Sequence, residues 1–117
     1  MSDIERFKVL NAVVKRRRPF RRTTRRVVRV KGDVDVATCA LLAASIGRAM
    51  EAERGAPVDL VVDLARLRFI DVSGIRVLVK AAHQSRARGG TLVLRSPSRT
   101  LRRMLGVLHL DAVLPVE

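Results

Sequence analysis

Aromatic residues are nearly missing from this sequence, with three Phe and no Trp or Tyr in 117 residues. The core must therefore be aliphatic, and platforms for stacking nucleic-acid bases have no material to be built from. One cysteine, Cys39, cannot close an internal disulfide and reads as a small apolar residue in a reducing compartment. His83 and His109 are the only histidines, and no His-x-x-x-His or Cys-x-x-Cys pair exists. No metal set is expected, and each histidine reads as a surface or boundary residue instead of a general base. Gly-x-x-x-x-Gly-Lys and Gly-x-Gly-x-x-Gly are both absent, so no nucleotide cofactor is expected. The Gly-x-Ser-x-Gly elbow of hydrolases is half present at Val72-Ser73-Gly74, and catalysis is not expected. The longest uncharged run, Val36 to Gly47, is twelve residues, short of the roughly 20 that span a bilayer as a helix. Asp3, Glu5 and a basic tract stand where a secretory leader would be apolar, so the expected location is the cytoplasm, with no membrane partner.

Acids are also scarce, 11 against 24 Lys and Arg, for a net charge of +13. The excess is concentrated: residues up to Lys31 carry twelve cations and two acids. Within them, Lys15, Arg16, Arg17, Arg18, Arg21, Arg22, Arg25 and Arg26 place eight charges in twelve residues. Such a tract repels itself and stays solvated or pairs with a polyanion. A solvated leader, a phosphate-backbone contact to RNA or DNA, and an anionic membrane surface remain three readings, although no nucleic-acid-binding motif accompanies the charge and no clean amphipathic face favours the membrane. Residues 1–25 are read as a basic N-terminal arm with a weak first strand between Phe7 and Val14, and residues 26–117 as the domain.

What is abundant is aliphatic: 48% of the chain is hydrophobic, enough for one core and one domain. Arg26–Lys31 alternates and is β-branched, predicting a strand that ends at Gly32. Leu42, Ile46, Ala49 and Met50 form one face of a helix over 37–54, stopped by Gly55 and Pro57. Val58–Leu64 predicts a central strand covered on both faces, followed by a connection over 65–70. Ile75, Leu78, Val79 and Ala82 predict a second helix stopped by Gly89-Gly90. Thr91–Arg95 predicts another strand, and Ser98 caps a third helix with Leu101, Met104, Leu105 and Leu108 on its inner face. Ala112–Val116 predicts an edge strand that tolerates Pro115. The expected fold class is α/β, a mostly parallel four- to five-stranded sheet with helices packed against it.

In such folds the loop after a central strand and the helix start beyond it expose unpaired N–H groups. Here that place is Phe69-Ile70-Asp71-Val72-Ser73-Gly74. Asp71 is the expected N-cap, Ser73 falls in the first turn, and Gly74 permits close backbone approach. On spacing alone two readings stand: a helix cap, or a hydroxyl presented as a phosphate acceptor.

The stretch from Val58 to Val116 resembles the STAS domain of bacterial anti-sigma factor antagonists. The family pattern is a strand ending in Asp-Leu, then Phe-Ile-Asp-Ser-Ser-Gly-Leu, a helix, Gly-Gly, a strand, and a C-terminal helix before an apolar tail. This sequence has Val62-Asp63-Leu64, Phe69-Ile70-Asp71-Val72-Ser73-Gly74-Ile75, Gly89-Gly90, Leu92-Val93-Leu94, and Leu101 to Leu108 before Leu114-Pro115-Val116. Gly32-Asp33-Val34-Asp35 resembles the family's Gly-Glu-Leu-Asp turn. The resemblance implies that Ser73 is the serine phosphorylated by an anti-sigma factor of the serine-kinase type. It also implies a partner surface of Asp35, Asp71, Val72, Ser73, Gly74, Ile75 and Arg76, a phosphatase that reverses the modification, and a monomer or weak homodimer without cofactor. The unmodified form is then expected to capture the anti-sigma factor and so regulate transcription. Val72 stands where the family commonly has another serine, leaving one acceptor instead of two. The other expected roles are a STAS-fold nucleic-acid-associated protein using its Arg-rich arm, and a scaffold subunit of a signalling assembly.

Overall fold

A computed structural model of the chain describes residues 8–18, 21–52, 54 and 56–117. β1 (Lys8–Arg18) and β2 (Arg21–Val34) pair antiparallel, from Lys8 opposite Lys31 to Arg18 opposite Arg21. Basic residues enter a strand at little cost when they alternate with apolar ones, because successive side chains leave on opposite faces. In β2, Val28 and Val30 are buried while Arg29 and Lys31 are exposed. The first strand expected over 7–14 is thus present from Lys8 onward, and Phe7 lies outside the described residues. Most of the basic tract is sheet, and the division expected between residues 25 and 26 falls inside β2. As the sheet edge, β1 carries five Lys and Arg, a composition that discourages pairing with other chains.

β3 (Val58–Ile70) pairs parallel with β2 and with β4 (Thr91–Arg95), giving the order β1-β2-β3-β4. The sheet has three parallel strands and one antiparallel, four in all. β3 does not end at Leu64 as expected but continues to Ile70, because two register shifts each insert one of its residues opposite β2. Such bulges break the period-2 pattern, which is why 65–70 read as a connection. Gly32 lies at the second shift with φ 94°, a backbone that glycine adopts without strain, so β2 passes through the position expected to end it.

The helices are α1 (Cys39–Glu51), α2 (Val72–Ala87) and α3 (Arg99–Val107). Each lays most of its expected apolar stripe on the sheet: Leu42, Ile46, Ala49 and Met50, Ile75, Leu78 and Ala82, and Leu101 and Leu105 join Val28, Val30, Leu60, Val62, Leu92 and Leu94 in one core, while Val79 and Met104 are only partly buried against it. The stop read at Gly55 lies outside the described residues. Gly90 lies so close to β3 that a Cβ on it would sit 2.0 Å from the Val58 carbonyl oxygen. The Ser98 side chain accepts from Leu101 N–H at 3.1 Å, as a cap. Leu108 falls outside the core stripe, because α3 ends at Val107 and His109 turns the chain with φ 56°. The edge strand expected over 112–116 reduces to one parallel bridge, Leu94 to Val116, with Leu94 N–H donating to Pro115 O and Glu117 N–H to Leu94 O, both at 2.8 Å. Among the described residues no helix is long and apolar enough to cross a membrane.

Candidate functional site at the start of the second helix

The extended β2–β3 ladder decides where the site lies. Its last pair is Val34 with Ile70, so the two strands end side by side, and Asp71 N–H donates to Val34 O at 3.0 Å. Asp71 then leaves the strand with extended backbone and caps α2, its Oδ1 accepting from Gly74 N–H at 3.2 Å. The Ser73 hydroxyl donates to the same Oδ1. That bond, first, and the N–H groups of Gly74, Ser73 and Asp71 hold the Asp71 carboxyl below its ordinary range, against a smaller opposing effect of burial. Gly74 is buried against the strand ends, where a Cβ would lie 2.6 Å from Ile70 Cγ1 and 2.7 Å from Val34 Cγ1. Only glycine lets the first turn of α2 sit this low, and the low seat holds Ser73 half-buried at the rim.

The second loop at this end runs from β2 into α1. Asp35 Oδ1 accepts from Ala37 N–H at 2.9 Å and Thr38 N–H at 3.1 Å. The buried Thr38 hydroxyl accepts from Asp35 N–H at 3.0 Å and lies 2.9 Å from Asp33 O. Asp35 thus shapes its own turn and the start of α1, one residue beyond the Val34 carbonyl that anchors Asp71. Thr38 is a supporting residue that sequence reasoning missed, although a hydroxyl three residues after an aspartate in a turn is a recognisable local signal.

The seven expected surface residues divide. Asp35, Asp71 and Ser73 are half-buried at the rim, Val72 and Arg76 are exposed, and Gly74 and Ile75 are buried beneath it. Val36 (79% exposed), Phe69 (54%) and Val72 (56%) stand on the loop, strand end and helix start that meet here, so large apolar side chains face solvent around a charged cap. Val36 and Phe69 were not among the surface residues expected from sequence, although Phe69 opens the motif, since neither falls on a helical stripe. Arg76, one turn beyond Ser73, has no ion pair among the described residues. α2 contains no acid at all.

Of the basic tract, Lys15, Arg16, Arg17 and Arg18 lie on β1 and Arg21 and Arg22 on β2, their side chains outside the described part. Arg25 forms an ion pair with Glu117, which Arg95 also holds at 2.6 Å. Arg26 is half-buried. Among the described residues no group of three His, Cys, Asp or Glu side chains could hold a metal ion.

The family model described as the STAS domain matches residues 13–117. No curated protein sequence matches the chain. An anti-sigma factor antagonist from Mycobacterium paratuberculosis is similar in structure, with a TM-score of 0.66 and 21% identity over 92% of this chain and 85% of that one. The unphosphorylated form of the anti-sigma factor antagonist SpoIIAA gives a TM-score of 0.58 and 25% identity over 81% of this chain and 82% of that one. The same fold occurs in the murine anion transporter Slc26a9, with a TM-score of 0.69 and 11% identity over 93% of this chain and 20% of that one. With a family match over residues 13–117, laid on a mostly parallel sheet whose end carries the Asp-Val-Ser-Gly helix start, the chain belongs to the STAS domain family.

Proposed function

We propose that this protein is an anti-sigma factor antagonist that acts in the cytoplasm, holding an anti-sigma factor of the serine-kinase type while Ser73 is unmodified and releasing it when Ser73 is phosphorylated. The observation that carries the reading is the half-buried Ser73 hydroxyl in the first turn of α2, at the end of the sheet where exposed Val36, Phe69 and Val72 stand on the adjoining loop, strand end and helix start. The structural likeness to SpoIIAA in its unphosphorylated form supports it.

The physics of the switch is asymmetric. A phosphoryl group adds about −1.5 to −2 charges at neutral pH. Within the domain that charge sits at the positive end of the α2 dipole, with Arg76 one turn away to pair with it. Its local cost is loss of the bond to Asp71 and repulsion from that carboxylate, a strain that falls on an exposed rim and not on the core. A partner lying across Val36, Phe69 and Val72 must instead strip water from the phosphate. An unpaired charge in an interface costs several kcal/mol, which is at least about a hundredfold in affinity. A phosphatase then restores capture.

The test is capture from native extract with wild type, Ser73→Ala and Ser73→Asp, with mass spectrometry of wild type after incubation with extract and ATP. Wild type and Ser73→Ala should retrieve one common protein that Ser73→Asp loses, and the phosphoryl group should map to Ser73. Equal retrieval by all three would overturn the switch. Nucleic acid retained equally by all three, falling with salt, would favour the basic arm as the binding element.

A further inference from the structure

α2 continues away from Ser73 for three more turns, and its outer side is unusual in two ways. Val72, Ile75 and Val79, with Leu108 and Leu110 from the segment after α3, line a groove of about 570 Å³. Leu108 is 45% exposed although it is a large aliphatic residue. Arg76, Lys80 and His83 line the same groove, spaced four and three residues apart and so on one helix face. Among the described residues no Asp or Glu lines the groove, and α2 has none to offer. Like charges at i and i+4 destabilise a helix unless something opposes them. Arg76 and Lys80 have no ion pair among the described residues, whereas Arg25, Arg29, Arg68, Arg88 and Arg95 each meet a carboxylate.

We infer that this groove seats an amphipathic acidic helix of the partner protein, its apolar stripe on Val72, Val79 and Leu108 and its carboxylates on Arg76 and Lys80. The inference rests on the partner-binding reading above and deepens it, since the groove begins at Val72 beside Ser73 and would supply affinity at a distance from the switch. From Val72 to Gln84 the lining spans about 18 Å at 1.5 Å per residue, the length of roughly three helical turns. Carboxylates at i and i+4 of a docked helix match the spacing of Arg76 and Lys80, and the apolar lining selects such a helix over a bare polyanion.

The probe is a fluorescein-labelled amphipathic peptide of about four turns, Leu on one face and Glu elsewhere, read by fluorescence anisotropy against full-length protein. A peptide with the same Leu face and Lys for Glu, and a labelled oligo(dT), are the comparisons. The acidic peptide should bind saturably and the basic one not. Lys80→Glu, an exposed change, and Leu108→Asp should each weaken binding about tenfold, a loss of about 1.4 kcal/mol, with circular dichroism confirming the fold. The peptide assay and the Ser73 capture experiment read different variants, so a groove that fails here leaves the Ser73 capture experiment standing, and the reverse holds. Equal binding of both peptides, or indifference to Lys80→Glu, overturns the inference. Oligo(dT) binding that Lys80→Glu weakens and Leu108→Asp does not assigns Arg76 and Lys80 to a polyanion. Dimerisation lost in Leu108→Asp, without peptide binding, assigns the groove to a second copy of the chain.

Discussion

The seat of the switch helix can be tested by comparing one substitution at two glycines. At Gly74, alanine would place Cβ 2.6 Å from Ile70 Cγ1 and 2.7 Å from Val34 Cγ1, where unstrained contacts begin near 3.4 Å. Both neighbours are β-branched, buried and paired across the β2–β3 ladder, so neither side chain can swing away. Overpacking of this kind costs about 1–3 kcal/mol, against up to about 1 kcal/mol gained from replacing glycine in a helix. A net loss of roughly 1–2 kcal/mol follows, or about 4–8 °C in Tm for a domain of this size. Gly47 in α1 has nothing within 4 Å of the same added methyl, so Gly47→Ala should gain about 0.5–1 kcal/mol and raise Tm by a few degrees. Thermal and guanidinium unfolding followed at 222 nm measure both variants against wild type. The two changes should move Tm in opposite directions, and Gly74→Ala should also weaken capture of the partner by lifting Ser73 off its seat. A Gly74→Ala protein as stable as Gly47→Ala would refute the account of how α2 is held.

Gly90→Ala should be costlier than Gly74→Ala, because the added methyl meets the Val58 backbone at 2.0 Å and backbone cannot repack; separation of β4 from β3 would show as faster hydrogen exchange over 91–95. Acid stability reads the Asp71 cap. Its folded value lies below the ordinary 3.8, so its stabilisation is complete above about pH 4 and is lost as pH falls through the lower folded value. Asp71→Asn keeps an acceptor for Gly74 N–H but no charge, so its unfolding midpoint should fall less steeply than wild type on acidification below about pH 4. Parallel acid limbs for the two proteins would contradict that assignment.

Local chemistry was the legible part. Asp71 caps α2 and Ser98 caps α3 because a cap needs only a side-chain oxygen and an N–H three residues on, all within one short stretch of sequence. The helical stripes were legible for the same reason, since Leu42, Ile46 and Met50 share a face whatever lies opposite. The family resemblance lay in the order and spacing of several pieces, from Gly32-Asp33-Val34-Asp35 through Phe69 to Ile75 and Gly89-Gly90 to the apolar tail at Leu114-Pro115-Val116. Ser73 in the first turn of a helix followed from its place two residues after the cap.

Tertiary structure alone decided the rest. β3 runs six residues past Leu64 because its two bulges answer to β2, and a bulge leaves no periodic signature in its own strand. The arginines of β2 became sheet because β1 and β3 were there to pair with them, a pairing set by partners and not by charge. Leu108 keeps the helical spacing of Leu101 and Leu105 yet stands exposed, since the chain turns at His109 before the helix can carry it inward. Amino-acid order by itself determines which side chains a segment presents within a turn or two of helix; which of them meet solvent is settled only when distant segments cover the remainder.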